Sequence, residues 1–424
     1  MLPSSFSQAA IIGSGPAGLT AAEVLSASGI HVTVIERMPS VARKLLMAGR
    51  SGLNLTHSET PERFISRYGE AASWLSPALA TCSATDVVAW AEELGQPCFT
   101  GSSGRIFPRA MKASPLVRAW MTRLEQQGVK LRTRTEWKGF TPDGSLRLQT
   151  NGEEEDVLKA DIVILATGGG SWPRLGSNGK WVEILEAEGL PIAPLRPANC
   201  GFSVNWSESF RERFAGTPLK NARFTVASTG HSARGEAVIT DRGIEGGAIY
   251  ALSAMLRDII ARDGKALLLI DLRPDLTREQ IIARLSDVRA RESLGNRLRK
   301  ALRMPSFTSP LLRESGQHAS TPQDIASLLK AFPLVLTEPD QLDRAISTAG
   351  GLKSEALDEN FMIRSRPGIF ACGEMLDWEA PTGGYLLQAC FATGHAAATG
   401  ALRWLQSSTR TLYCPSHDIP GSSP

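Results

Sequence analysis

Apolar positions along the chain fall into two rhythms. Short apolar runs stand at Gln8–Ile12, Ile162–Ala166 and Ile369–Cys372. Runs of this kind, bounded by glycine, predict buried parallel strands. After the first run, Ala17, Ala21, Val24 and Leu25 share one helical face, Gly29 closes the helix, and His31–Glu36 predicts a second strand. A long helix is expected over roughly 385–405. This alternation predicts an α/β fold.

The middle of the chain changes rhythm. "ANCGFSVNW", "ARFTVAST", "EAVITDRG" and "ALLLIDLRP" are short strand-like pieces with turn residues between them, which predicts a small β-barrel or sandwich. Residues 277–331 have helical periodicity: Thr277 can cap "REQIIARLSDVRA", "ESLGNRLRKALR" follows, and Thr321-Pro322 opens "TPQDIASLLKAF". Composition shifts near "PLRPAN" (194–199), and the first rhythm resumes near Ala349. The first rhythm thus occupies 1–197 and 347–406, around a β-rich insertion at 198–346. A helical subdomain (277–331) nests in that insertion, and a flexible tail is expected at 407–424.

Composition narrows the function. A 424-residue chain calls for more than one folding unit, and 42% hydrophobic with 21% charged residues suits a globular protein. A formal charge of +3 argues against a general nucleic-acid binder. The basic stretch Arg284, Arg289, Arg291, Arg297, Arg299, Lys300 and Arg303 reads as a solvated helix face, with no stacking aromatic in 284–303. No apolar run reaches the ~18 residues of a membrane span. The start has no basic segment leading into an apolar one, so no signal peptide is expected. Cys82, Cys98, Cys200, Cys372, Cys390 and Cys414 form no C-x-x-C, so no metal site is expected, and a reducing cytoplasm is the expected location.

Gly13, Gly15 and Gly18 follow the first strand in G-x-G-x-x-G spacing and open the first helix. Gly13 permits the tight turn, Gly15 admits a diphosphate, and Gly18 lets helix and strand pack closely. Glu36, at the end of the second strand, can bind a ribose hydroxyl. Two later segments distinguish FAD from NAD. Thr167–Gly170 makes a tight turn after one strand. Gly373-Glu374 ends another, and Thr382-Gly383-Gly384 then opens the long helix. The acid can bind ribityl hydroxyls, and the helix start can face the pyrimidine edge of an isoalloxazine. No second G-x-G-x-x-G follows a strand, so NAD(P)H, if used, would visit the flavin pocket as a transient electron donor.

These residues resemble the BaiN-like (YhiN-type) family of FAD-dependent flavoproteins. The resemblance runs from about Gln8 to Leu405. It rests on the Gly13–Gly18 loop with Glu36, "RKLLMAGRSGLNLTH" (43–57), "GRIFPRAMKAS" (104–114), "ATGGGSWPRLGSNG" (166–179), "GEAVITDRGIEGGAIYALS" (235–253), "TAGGLKSEALDE" (348–359) and "GEMLDWEAPTGGYLLQA" (373–389). The chain departs from the family pattern at three places: Gly52-Leu53-Asn54-Leu55-Thr56-His57 lacks an arginine and a cysteine, Gly383-Gly384-Tyr385-Leu386 lacks an asparagine, and Thr240–Gly246 reads differently. These departures mark a divergent subgroup.

The resemblance implies a Rossmann-like FAD-binding domain built from N- and C-terminal segments, with an inserted β-barrel-like domain. It implies an FAD-dependent oxidoreductase that moves a hydride between a small organic substrate and flavin N5. Gly13, Ser14, Gly15, Pro16, Ala17 and Gly18 would hold the diphosphate. Glu36, Arg37, Lys44, Asn54, Thr167 and Gly168 would add further cofactor contacts, and the Trp137 backbone would clamp adenine. Gly373, Glu374, Asp377, Gly383, Gly384, Tyr385 and Leu386 would serve the flavin end. Arg50 and His57 are weighed for substrate, Trp172 and Trp378 for the ring pocket. Cys372 and Cys390 are expected to be inert. No catalytic acid or base is assigned. A flavoprotein acting on RNA and a non-catalytic FAD-binding protein are the alternatives.

Overall fold

The computed structural model describes residues 7–50, 52–289 and 291–412. The chain divides into two compact units, Met1–Leu195 together with Ala349–Pro424, and Arg196–Thr348.

The first unit is organised by a five-stranded sheet, ordered Ile369–Ala371, Ile162–Leu165, Gln8–Ile12, His31–Ile35 and Lys130–Arg132. Every neighbouring pair is parallel. Ile11, Ile162, Ile164, Leu165, Phe370 and Ala371 are fully buried. Each such isoleucine, leucine or phenylalanine side chain contributes about 1.5–3 kcal/mol by leaving water. A strand from position 369 therefore lies in the same sheet as one from position 8, separated from it only by Ile162–Leu165. The first helix, Pro16–Ala27, and the last, Tyr385–Leu412, pack together. They approach so closely that a Cβ on Gly394 would sit 2.3 Å from the Ala17 carbonyl oxygen. The last helix runs beyond the expected 405; residues 413–424, the rest of the expected tail, lie outside the described residues.

Two three-stranded antiparallel sheets flank this layer. One is the meander Thr135–Phe140, Leu146–Thr150 and Glu155–Leu158, which carries Trp137. The other joins Thr56–His57, Arg105–Pro108 and Cys98–Thr100. Helix Ala84–Glu93, started by a Ser83/Asp86 capping box, packs on the second of these sheets, while Ala72–Thr81 packs on the last helix and Ala113–Gln126 on the first.

The second unit holds an antiparallel sheet ordered Phe202–Ser203, Gly243–Glu245, Ser232–Ile239, Pro218–Val226, Ala266–Asp271 and Phe332–Leu336. The chain just past the final strand pairs back to the first: Thr337 N–H donates to the Ser203 carbonyl, and Ser203 N–H to the Glu338 carbonyl. The sheet thus curls into a barrel-like closure. Helices Arg278–Ser286, Leu294–Leu302, Thr308–Glu314 and Pro322–Lys330 lie between Asp271 and Phe332. They bury Ile281, Leu285, Leu298, Leu302, Leu311 and Leu329. Thr277 and Thr321 start two of these helices with capping boxes. Among the described residues no helix is long and apolar enough to cross a membrane, and no His, Cys, Asp and Glu cluster could hold a metal ion.

Candidate cofactor and active site

The glycine turn is built by steric exclusion. Gly13 sits at φ +107, and a Cβ there would lie 2.3 Å from the Ala166 carbonyl oxygen. A Cβ on Gly18 would lie 2.0 Å from the Gly13 oxygen. Gly15 is different: an added Cβ meets nothing within 4 Å. Gly15 is the N-cap of the first helix and no side chain caps that start. Its leading amides and the positive end of its dipole are therefore available to an anion. Pro16 occupies the first turn, where it removes only an N–H the helix does not use, and Ala17 is buried.

Glu36 stands beside this turn. Its carboxylate accepts from Ser14 N (3.1 Å), from Ser14 Oγ and from Met38 N (2.7 Å). Three donors hold the acid in place beside the glycines, and Glu36 is linked onward, its N–H donating to the Arg132 carbonyl and its carbonyl accepting from Thr135 N–H. That strand leads to Trp137, which is buried, and whose Nε1 finds no partner among the described residues. The Arg37 side chain is committed elsewhere: it donates to the Pro173 and Gly176 carbonyls at 3.3 and 3.1 Å, tying down the turn after Trp172.

The N-terminal and C-terminal segments of the first unit meet at Lys44. Its ammonium donates to Glu374 Oε2 at 2.7 Å and to Ser171 Oγ at 3.0 Å, joining positions 330 apart. Gly373, at φ +80, presses on Ala17, donates to Thr393 Oγ1 (2.9 Å) and accepts from Trp378 Nε1 (2.9 Å). Trp378 is thus a buried brace for the Gly373 turn. Thr167 Oγ1 contacts Met375 Sδ at 3.4 Å, and the Gly168 carbonyl accepts from Trp181 Nε1 at 2.8 Å. Asp377 N–H donates to the Leu352 carbonyl at 2.9 Å.

The last helix opens after Gly383 (φ +135) and Gly384 (φ +96). A Cβ on Gly384 would lie 2.6 Å from the Thr56 backbone, so only glycine lets these segments touch. Thr56 Oγ1 and, two residues earlier, Asn54 Oδ1 are buried polar atoms with no partner among the described residues. Such atoms are costly unless a ligand or water meets them, which fits a cofactor edge carrying both donors and acceptors. Leu386 is partly buried and packs against the core.

Tyr385 is locked by His57 and by Glu59, Arg67 and Tyr68, the last three missed by sequence reasoning. Its hydroxyl donates to Glu59 Oε2 (2.8 Å), its carbonyl accepts from Tyr68 Oη (2.8 Å), and its ring stacks on His57 with centroids 5.4 Å apart. Arg67 donates to both Glu59 oxygens. The Arg67 guanidinium, with help from the Tyr385 hydroxyl, brings the Glu59 carboxyl down to about 2, against the opposing effect of burial. Burial, together with the Glu59 carboxylate, pushes the Tyr385 phenol above its usual range, so it remains a neutral donor. His57 Nε2 lies 3.0 Å from the Ser103 carbonyl oxygen. Nothing in local sequence linked Glu59 with Tyr385, 326 positions on. Ser171, at the end of the Gly168–Gly170 run, was the one missed partner with a visible signal. Cys372 is buried and Cys390 partly buried, and burial raises both thiols, Cys390 to about 12, which disfavours the thiolate that a nucleophile needs.

The residues suit FAD: an uncapped helix start with open space at Gly15, an acid beside it, and a second helix start with orphaned polar atoms nearby. Among curated proteins, the chain is 26% identical over 420 residues to the ribosomal RNA dihydrouridine synthase of Haemophilus influenzae, covering 94% of this chain and 100% of that one. It is 24% identical to the 3-dehydro-bile acid delta(4,6)-reductase of Clostridium scindens, covering 92% and 98%. Its fold is shared by a flavocytochrome c3 fumarate reductase (TM-score 0.52, 14% identity, 95% of this chain and 79% of that one). It is shared equally by the 3-ketosteroid-delta4-(5alpha)-dehydrogenase of Rhodococcus jostii RHA1 (TM-score 0.50, 15% identity, 94% and 98%). With residues 7–400 matched by the family model for the HI0933-like protein Rossmann domain, the chain belongs to that family of FAD-dependent oxidoreductases.

Proposed function

We propose that the protein moves a hydride between flavin N5 and a small organic molecule, and that the bond it reduces is a carbon–carbon double bond conjugated to a carbonyl. The observation that carries this is the start of the last helix. It has no acidic residue in its first turn, is seated by Gly384 on Thr56, and follows a strand that lies in the same parallel sheet as the glycine-turn strand. When bound, FAD supplies hydride exchange at N5, with charge gathering at its pyrimidine edge on reduction. The helix start favours that charge. Lys44 and Glu374 hold the ribityl side, Glu36 the adenosine ribose, and the Trp137 strand the adenine. The first-helix amides hold the diphosphate.

The substrate class draws support from the relatives. A dihydrouridine synthase and a delta(4,6)-reductase of a 3-keto compound both saturate a double bond next to a carbonyl. NAD(P)H serves as a transient donor in this proposal. The five described cysteines are all free thiols, which suits a reducing cytoplasm. RNA is left out as a partner because the basic stretch is partly consumed internally. Arg297 is buried and donates to the Ser320 carbonyl (2.8 Å), Arg299 contacts Asn296, and Lys300 pairs with Glu292 (2.5 Å).

Anaerobic photoreduction followed by mixing tests this. A 4-ene-3-ketosteroid should restore the oxidised-flavin absorbance, and a primary amine should not. Bleaching of oxidised flavin by the amine, with no reoxidation by the enone, overturns the proposal. Reoxidation only by uridine-containing RNA, with salt-sensitive binding, replaces the small molecule with RNA.

A further inference from the structure

The first unit contains a cavity of about 640 Å³ that touches none of the glycine-turn residues 13–18. It lies instead along the later turns of the first helix. The walls come from five helices: Val24 on the first, Thr81 at the end of Ala72–Thr81, Val87 and Trp90 on Ala84–Glu93, Arg123 on Ala113–Gln126, and Phe391 and His395 on the last. The volume falls in the range of small-molecule sites, and the surface the cavity shows is mainly apolar, although more than half of its lining residues are polar or charged.

Its floor is rigid. The Glu23 carboxylate accepts from Trp90 Nε1 (3.0 Å), Trp120 Nε1 (2.7 Å) and Arg123 (2.8 Å). Trp90 also lies edge-on to Trp120 and tilts against Phe391, with centroids 4.7 and 5.2 Å away. Glu23 and Arg123 neutralise one another, and Asp86 is satisfied by Ser83. The wall therefore shows a ligand flat aromatic faces, a neutralised Glu23–Arg123 pair and one carboxylate, Asp86, whose hydrogen bonds from Ser83 leave its charge in place.

One polar atom is unanswered. His395 Nδ1 is buried and finds no partner among the described residues. Two turns earlier on the same helix, Gln388 Oε1 is likewise buried without a partner, while its amide donates to the carbonyl of Cys82, a wall residue. Burial holds the His395 imidazole below its ordinary value, only partly opposed by Asp86, so the ring is neutral near pH 7. With its proton on Nε2, Nδ1 is an acceptor waiting for a donor.

We propose that this cavity is an accessory binding site for a neutral, flat, mostly apolar molecule whose hydroxyl donates to His395 Nδ1 while its ring lies against Trp90 and Phe391. It is separate from the cofactor cradle and independent of the substrate proposed above.

The test uses FAD-loaded protein and two probes of nearly equal shape: 2-naphthol, which carries a donor, and 2-methoxynaphthalene, which does not. Fluorescence titration should show saturable binding of 2-naphthol to one site, roughly threefold to tenfold tighter than 2-methoxynaphthalene, the range of one neutral hydrogen bond. His395→Leu should erase that difference. Ala27→Trp, at the exposed end of the lining, should abolish binding and leave the flavin spectrum unchanged. Equal affinity for both probes in the unaltered protein overturns the proposal. So does binding that survives Ala27→Trp, or a flavin absorbance that shifts as 2-naphthol binds.

Discussion

The first helix begins where backbone presses on backbone. The last helix begins where side chains from distant segments converge. At Gly13 and Gly18 the neighbours of a hypothetical Cβ are carbonyl oxygens at 2.3 and 2.0 Å, within a few residues or one strand away. At Tyr385 the holding groups are Glu59, Tyr68 and His57, each more than 300 positions away in sequence. The first arrangement tolerates no substitution because backbone has nowhere to go. The second is a polar network, which weakens by steps as single members are removed.

The largest effect should come from Gly18→Val. Its Cβ has no space against the Gly13 oxygen, so the strand–helix turn must open at a cost of about 3 kcal/mol or more. Thermal unfolding should show a large loss, and flavin should be absent. Gly15→Val separates binding from folding. Its backbone, at φ −75, accepts valine, and the space around the added Cβ is open. Valine is a poor N-cap, worth under about 1 kcal/mol, so the melting point should barely move while flavin content falls to nothing. A full flavin spectrum in the Gly15→Val protein would mean the diphosphate lies elsewhere. Lys44→Met comes next. It strips a partly buried carboxylate, Glu374, of its cation. Stability should drop by about 1–2 kcal/mol and FAD should bind roughly tenfold more weakly. A double-mutant cycle with Glu374→Gln should show strong coupling, and additive losses would show that the pair is incidental.

What the sequence made legible follows the same division. The spacing of Gly13, Gly15 and Gly18 carries its own geometry, because a local turn is specified by the residues that form it. The strands at Ile162 and Ile369 were visible as apolar runs, and the four helices after Asp271 kept a clear 3.6-residue period in three cases; Thr308–Glu314 was too short to show one. The nine residues of "ANCGFSVNW" hold the end of one strand, Ile192–Ala198, and a strand of only two, Phe202–Ser203, while Cys200 and Trp206 pack into the core outside any ladder. The barrel-like closure rests on hydrogen bonds just outside any regular strand, which no periodicity reveals. Glu374 entered as the acid ending its strand and Lys44 through family resemblance, and their pairing emerged only from the fold. Glu59, Arg67 and Tyr68 sit in helical and loop segments whose local pattern explains them as ordinary surface and core.

The smallest effect is also the most specific to the last helix. The Glu59 carboxyl titrates near 2 when folded, against an ordinary value of 4.5, because Arg67 and the Tyr385 hydroxyl bind its charged form. A group whose folded value is depressed lends stability above the unfolded value and loses it as pH falls toward the folded one. The contribution is therefore complete above about pH 4.5 and fades between there and pH 2. Glu59→Gln keeps the shape and removes the charge. It should cost about 1 kcal/mol at pH 7, a modest figure because Arg67 is exposed enough for solvent to screen the pair. The gap between variant and unaltered protein should shrink as pH is lowered through that window, read from urea unfolding midpoints at each pH. A gap that stays constant from pH 7 to pH 3 would mean that the ion pair does not anchor Tyr385, and that Gly384 against Thr56 alone sets where the last helix begins.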